Sequence, residues 1–434
     1  MPIFHKIPIK LNQLISDLYS KYLDSSGVCT DTRTLKSGQI FFALKGPSFN
    51  GNTYAELALA RGARYVVIDE PVFDQGEKCL LVENVLTVLQ ALATHHRQHF
   101  DIPVFGITGS NGKTTTKELV ARVMQQKYQV HYTQGNLNNH IGVPLTLLSM
   151  PLTTEFAIIE MGANHLGDIA ELCEIAQPTH GLITNIGNAH LGEFGGIENL
   201  IRAKSELFDY LRKNDGQVFI NSEDRVLCNM SKRFEHAIQY PDANCTLLRA
   251  KPYVHYMDRH GQEHATEMIG AYNFLNISAA IAVGNFFSVE NPYDAVDRYV
   301  PGNNRSQVLE LASNKVILDA YNANPASMEG ALHNLAIMTG ETKIALLGEM
   351  KELGKYAEDE HRKIVVLSSQ LGMRCLWVGK HFAQVVENQD DCFDTVDELI
   401  VHLRLNPLSG SIVLVKGSRS TQMEKLIQAQ AIWI

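Results

Sequence analysis

The chain has no apolar run long enough to cross a bilayer. Its amino-terminal stretch MPIFHKIPIKLNQLISDLYS has neither a continuous apolar core nor a small-residue cleavage site, so a cytoplasmic protein without membrane insertion is expected. The seven cysteines, an odd number, are scattered singly from Cys29 to Cys392 with no CxxC pair. They read as reduced thiols, not as a disulfide framework. Positive charge is in deficit. With 38 basic and 47 acidic side chains the formal charge is −9, which argues against a nucleic-acid or anionic-membrane partner but allows a local basic pocket. The segment before Asp101 contains no GxGxxG, so no dinucleotide site is expected there. Internal repeats and low-complexity segments are also missing. What is present is a globular composition, 45% apolar and 20% charged over 434 residues, enough for roughly two to four domains.

The most informative stretch is GITGSNGKTTT, Gly106 to Thr116. A β-type run from Ile102 to Ile107 leads into it, and a helix-like run from Lys117 to Met124 follows. A turn of small residues between strand and helix leaves backbone N–H groups pointing outward, and the helix start adds positive potential. That geometry holds a phosphate. Gly109, Ser110, Asn111 and Gly112 form the turn, and Thr115 continues it. Lys113 can reach outer phosphates, and Thr114 offers a hydroxyl to Mg²⁺. The match to the usual P-loop spacing is displaced, because Ile107 stands where the leading glycine belongs. The alternative is a glycine-rich turn with a solvated lysine, which the strand–turn–helix order disfavours.

Periodicity predicts an α/β protein in three segments. Residues 1–100 read as a small α/β domain, with a helix over Ile9–Leu23 and another over Tyr54–Arg61. Residues 101–312 alternate strand and helix, which predicts a central P-loop-type parallel sheet with helices on both faces. Within them Gln217–Ile269 reads as a β-rich extension and Asn273–Phe287 as a helix. Residues 313–434 repeat the alternation as a Rossmann-like sheet closed by a helix over Gln422–Ala431. Ligands of such sheets bind at the carboxyl ends of strands, where the P-loop, Glu160 and His190 all fall.

Several polar clusters are denser than connecting loops require. TQGNLNNHIGVP carries Asn136 and Asn138, whose amides can bind phosphate or simply form an Asx turn. Glu160, in EMGANH, suits a Mg²⁺ beside a P-loop threonine, or caps the next helix. His190 and Lys204 draw weight only from position; locally, a structural histidine and a solvated lysine serve as well. In the last segment Asp319, Asn322 and Asn324 crowd one strand end, and Lys416, Ser418 and Arg419 resemble an anion grip at another. Asp31, Thr32, Arg33 and Lys45 flank turns of the first segment and, taken alone, read as caps or solvated charges.

Together these stretches resemble the Mur ligase family along essentially the whole chain and in the family's order: GITGSNGKTTT, GNLNNHIGVP, EMGANH, TNIGNAHL, Ala203–Lys204–Ser205–Glu206 and GAYNFLNISAA. DAYNANPASM, GEMKELG and KGSRSTQME look like the members that add D-alanyl-D-alanine. The resemblance implies an ATP-dependent ligase acting through an acyl phosphate, with UDP-N-acetylmuramoyl-tripeptide and D-alanyl-D-alanine as partners and a monomeric state. It implies Lys113 on the outer phosphates and one Mg²⁺ on Thr114 and Glu160. A second Mg²⁺ would sit on His190 and a carbamylated Lys204. Asn273 would contact adenine, and Arg305 and Asp319 phosphate and ribose. Asp31, Thr32, Arg33 and Lys45 would meet the UDP end, and the KGSR loop the peptide and the dipeptide.

Three positions depart from the family pattern. Tyr272 stands where His is common, Asn304 where Gly is usual before the arginine, and SFNGNTY replaces a more acidic first-domain turn. Two rivals share parts of the pattern. A ligase of the same architecture with another amine would lack DAYNANP with GEMKELG. A regulatory P-loop NTPase would hydrolyse ATP without an amine acceptor and would leave the first segment unexplained.

Overall fold

The computed structural model describes residues 9–187, 194–340 and 342–434, with backbone alone at 9 and 10. His190 therefore lies outside the described residues. Among the described residues no helix is long and apolar enough to cross a membrane.

The amino-terminal region begins with helix α1 (Ile9–Leu23). Its four-stranded parallel sheet has the order β1 (Val28–Cys29), β2 (Ile40–Phe42), β3 (Tyr65–Ile68), β4 (Cys79–Leu81), with helices α2 (Ala55–Ala60) and α3 (Val85–Arg97). The expected helix over Tyr54–Arg61 is α2, one residue shorter at each end. Gly51–Tyr54 forms a 3₁₀ turn, because the Asn50 side chain accepts from the Asn52 N–H and starts a tighter coil before α2.

The central region runs through β5 (Val104–Thr108), α4 (Lys113–Met124), β6 (Val130–Tyr132), α5 (Gly142–Leu148), β7 (Phe156–Glu160), α6 (Asp168–Ala176), β8 (His180–Ile183), α7 (Ile197–Lys213), β9 (Gln217–Asn221), α8 (Arg225–Ser231) and β10 (Ile238–Tyr240). The six strands are all parallel, in the order β10-β9-β8-β5-β7-β6. The inner strands β5 and β7 are buried on both faces, which explains the near-continuous apolar runs VFGIT and FAIIE. The order reverses direction at β5, so the crevice of this sheet opens at the P-loop. Only part of Gln217–Ile269 is a separate β extension: β9 and β10 join the central sheet, with α8 between them. The antiparallel sheet is β11 (Cys245–Ala250), β12 (Tyr253–Asp258) and β13 (Glu263–Ile269). The α9 helix (Tyr272–Phe286) then packs along α4, and α10 (Pro292–Asp297) follows.

The carboxyl-terminal sheet has the order β14 (Gln307–Leu311), β15 (Asn314–Asp319), β19 (Ser411–Lys416), β16 (Thr342–Gly348), β17 (Arg374–Val378), β18 (Cys392–Phe393). All its pairs are parallel except β14 with β15. Helices α11 (Pro325–Ile337), α12 (Ala357–Gln370), α13 (Lys380–Ala383) and α14 (Val396–Leu405) cover it. The helix expected over Gln422–Ala431 shrinks to α15 (Lys425–Gln428) between short 3₁₀ turns. Gln422 is left-handed at φ 52°, and the Trp433 indole donates to the Leu426 carbonyl that a continuing helix would have used. That break lets Met423, Leu426, Ile432 and Trp433 all enter the core.

One apolar core runs from Ile15 and Leu18 of α1, through α3, into α5, α6 and α7, so the first region is docked on the central one. Arg97, at the end of α3 and 6% exposed, fastens this junction. Its guanidinium donates to the carbonyls of Ala176, Gln177 and Phe100 at 3.1, 3.2 and 2.7 Å. Two of those carbonyls end α6, where a cation also meets the negative end of the helix dipole. Arg97→Met keeps the apolar stem and leaves three carbonyls unpaired. It should lower stability by about 2–4 kcal/mol, read as a fall in the urea midpoint at constant slope.

Candidate active site

Strand β5 delivers the chain into a loop that only glycine can build at two points. Gly109 has φ 141°, and a Cβ there would stand 2.0 Å from Thr184 Oγ1. Gly112 has φ 78°, and a Cβ there would stand 2.6 Å from Asn276 Oδ1. The loop is tied to the one after β8. The Ser110 N–H donates to Asn185 O at 3.0 Å, the Asn111 N–H to Asn185 Oδ1 at 3.1 Å, and the Thr184 hydroxyl to Asn111 O at 2.6 Å. These bonds fix the loop while leaving the start of α4 without a side-chain cap. First-turn N–H groups with no cap seek an anion. Helix α4 begins at Lys113, four residues earlier than the pattern predicts, so Lys113, Thr114 and Thr115 all sit in that first turn.

The Lys113 ammonium folds back over the loop and donates to Gly109 O at 2.7 Å and Ser110 O at 3.2 Å. Burial lowers its pKa, with the Glu160 charge opposing. Glu160 ends β7, and its register beside Ile107 of β5 sets it against the loop. The side chain is 2% exposed. Oε1 accepts from the Asn138 amide at 2.8 Å, while Oε2 has no hydrogen-bond partner among the described residues. Lys204, on α7, is buried and stands over the Phe194 ring. Burial, and then the nearby Lys113 charge, pull its ammonium from the ordinary 10.5 down to about 7, against the opposing pull of Asp168 and Glu206.

These groups line one cavity of about 880 Å³ between the central and carboxyl-terminal sheets. The structure brings together in it Ser110, Asn111, Gly112, Lys113, Thr114, Thr115, Asn136, Asn138, Glu160, Lys204 and Asn273 from the central side. Arg305, Asp319, Asn322, Asn324 and Lys416 meet them from the other. Asp319 and Lys416 end adjacent strands in register, and their charged atoms are 2.5 Å apart. The Arg305 guanidinium lies 3.7 Å from the Tyr321 ring centroid, with its Nε unbonded among the described residues. Asn273 lines the cavity, but both ends of its amide are engaged. It donates to Ile269 O at 2.8 Å and accepts from Asn276 at 2.9 Å.

The first-region residues are not gathered here. Asp31 and Arg33 pair with each other at 2.6 Å beside Thr32, and Lys45 pairs with Asp69 at 3.0 Å and Glu70 at 3.3 Å. Ser418 is behind the wall, accepting from the Lys351 N–H at 2.9 Å, while Arg419 is exposed and reaches toward Tyr321. Asn304 takes φ 57°, a conformation glycine adopts freely and asparagine tolerates, so the departure at this position keeps the turn. One residue escapes the sequence reading, and one makes a contact that the sequence does not announce. Lys117 is buried with its ammonium 3.6 Å from Glu160 Oε2, and its signal was the spacing of four from Lys113, which puts both on one helix face. Asn111 belongs to the expected phosphate turn, and its Oδ1 also receives the Asn324 amide at 2.6 Å, joining the two sheets directly. No spacing in the chain announces that contact.

Gly112→Ala tests whether the loop needs its left-handed residue. Nucleotide affinity by calorimetry should fall at least ~10-fold, with stability lowered by about 1–2 kcal/mol.

Comparison with known proteins agrees with this architecture. The Mur ligase middle domain matches residues 107–284, and the Mur ligase glutamate ligase domain matches residues 304–419. A Bacillus subtilis protein named UDP-N-acetylmuramoyl-tripeptide–D-alanyl-D-alanine ligase is 34% identical over 93% of this chain and 92% of its own. The Escherichia coli protein of that name is 32% identical over 98% of both. The crystal structure of MurF from Acinetobacter baumannii superposes with a TM-score of 0.82 at 30% identity, covering 93% of each chain. A MurF ligase from Thermotoga maritima, solved in complex with ADP, shares the fold with a TM-score of 0.82 at 24% identity, over 94% of this chain and 98% of its own. The chain belongs to the Mur ligase family.

Proposed function

We propose that this chain joins D-alanyl-D-alanine to UDP-N-acetylmuramoyl-tripeptide with ATP, forming a peptide bond, ADP and phosphate for peptidoglycan precursor synthesis. The observation that carries the reading is the convergence, on one cavity, of an uncapped phosphate loop, a buried carboxylate with a free oxygen and two buried lysines from different sheets. Relatives of that name match along nearly the full chain.

ATP supplies the activation: the tripeptide carboxylate takes its γ-phosphoryl group, and the dipeptide amine then displaces phosphate from that acyl phosphate. The first-turn N–H groups of α4 and the Lys113 ammonium would take the phosphate oxygens and offset the repulsion between two anions. Thr114 and Glu160 fit one Mg²⁺: Oε2 of the 2%-exposed carboxylate has no hydrogen bond among the described residues, and with the Lys117 ammonium held off at 3.6 Å it stays a hard donor. When bound, Mg²⁺ would neutralise charge on the phosphates. Arg305 and Asp319 would contact phosphate and ribose from the facing sheet. Asn273 would contact adenine through the second lone pair of its amide oxygen, the first being taken by Asn276.

Residues 1–100 would bind the UDP end through Asp31, Thr32, Arg33 and Lys45. Residues 101–312 would hold ATP, and residues 313–434 would complete its site and receive the dipeptide near Lys416, Ser418 and Arg419. A cavity shared by two sheets supports closure that shields the acyl phosphate from water. Nucleotide-linked substrates and seven free cysteines favour the cytoplasm.

A phosphate-release assay that omits each substrate in turn checks the reaction. Release should need both the UDP-tripeptide and D-alanyl-D-alanine, and Lys113→Ala should cut it by about 10³-fold or more. Release without the dipeptide would favour an NTPase.

Lys204 is the proposed carbamate, with His190 as its partner on a second Mg²⁺. Its buried setting favours the neutral amine that CO₂ requires, with half of it neutral near pH 7. At constant dissolved CO₂, a ¹³C carbamate signal should therefore rise as pH increases through about 7 and vanish in Lys204→Ala. Without carbamate, the folded state binds fewer protons than the unfolded one between about 7 and 10.5, so stability should climb with pH across that window.

A further inference from the structure

Lys117 sits one turn after Lys113 on α4, and its side chain is 2% exposed. Its ammonium stands 3.6 Å from Glu160 Oε2, beyond hydrogen-bond reach, and 5.8 Å from the Tyr132 ring centroid. A pair that served only to hold the fold would close to contact, because in a dry interior the Coulomb gain must offset two desolvation costs. Here the carboxylate is turned by Asn138 on its other oxygen, and Oε2 keeps its acceptor capacity toward the cavity.

We propose that Lys117 is a positioning residue that keeps the Glu160 carboxylate aimed while repelling a lone divalent cation, so that the metal enters only together with nucleotide phosphates. This rests on the reading of Glu160 as a metal ligand. A dication on Oε2 faces the Lys117 ammonium across a low-dielectric gap, where like charges repel far more than in water. Lys113 lines the same cavity and adds to the repulsion. The phosphates of a nucleotide on the α4 start bring enough negative charge to reverse the balance. The site then discriminates metal–nucleotide from free metal, and no empty-handed metal blocks the loop.

Mn²⁺ is the probe, read by electron paramagnetic resonance on the full-length protein. Wild type should bind Mn²⁺ at this site at least ~10-fold more weakly without ADP than Lys117→Met, whose neutral side chain follows lysine's as far as the ε carbon and removes the ammonium. Lys117→Met/Glu160→Gln should lose that gained site. If wild type and Lys117→Met bind Mn²⁺ alike without nucleotide, the proposal is overturned. Should Lys117→Met fail to fold, wild type against Glu160→Gln decides: a nucleotide-free Mn²⁺ site in wild type that Glu160→Gln abolishes overturns the proposal, and its absence supports it. With ADP present, Glu160→Gln should weaken Mn²⁺ binding to the complex. If it does not, Glu160 is no metal ligand and the underlying reading fails, a result distinct from failure of the Lys117 role alone.

Discussion

Among the described residues, the first-turn N–H groups of α4 have no capping side chain, because the capping position is held by Gly112 in a left-handed conformation. A serine or aspartate there would complete the helix and close the site. Everything around the loop serves to keep that start open and rigid. Thr184 and Asn185 bind the loop's backbone from the neighbouring strand end, and Asn276 fills the space that a Cβ at Gly112 would need. The reversal of strand order at β5 then gives the open helix start a crevice instead of a wall.

Much of this was legible in the chain because it depends on local rules. Strand–turn–helix order marks the phosphate loop, and apolar runs mark strands buried on both faces. Glu160 was readable because a carboxylate ending such a strand has to emerge at the sheet's functional edge. What was not legible depends on contacts between distant parts. The pairing of Lys117 with Glu160 spans α4 and β7, and that of Asn111 with Asn324 spans two sheets. The chain's end failed for a related reason. Gln422–Ala431 has helical periodicity, but burying Trp433 against Leu426 outweighs the bonds a continuous helix would make. Tertiary burial overrides a local preference worth only a few tenths of a kcal/mol per residue.

The departures from the family pattern also resolve on physical grounds. Asparagine at 304 keeps a left-handed backbone that glycine would have taken more cheaply, in a turn where 303 and 306 are left-handed too. That turn leads from the central region into β14, and it ends with the Ser306 N–H bound to Asp319 and its hydroxyl facing the Tyr272 phenol at 3.0 Å. Tyr272 thus ties the start of α9 to the connecting turn, a bond that replaces whatever a histidine would offer there.

The lysines lining the cavity show what the site costs the fold. Lys113, Lys204 and Lys416 line one space, and Lys117 lies just behind it. Lys416 is matched by Asp319, but Lys204 is pulled toward 7, first by burial and then by the Lys113 charge. Such a cluster is a poor way to stabilise a protein, since buried like charges raise the energy of the folded state. Its compensation is external. A nucleotide polyanion and a carboxylate substrate supply the missing negative charge, and they gain from every cation already held in place without reorganising it. The same excess bears on Glu160. A lone cation at its carboxylate is opposed by the Lys113 and Lys117 ammoniums, and the proposed role of Lys117 makes metal binding there conditional on the nucleotide.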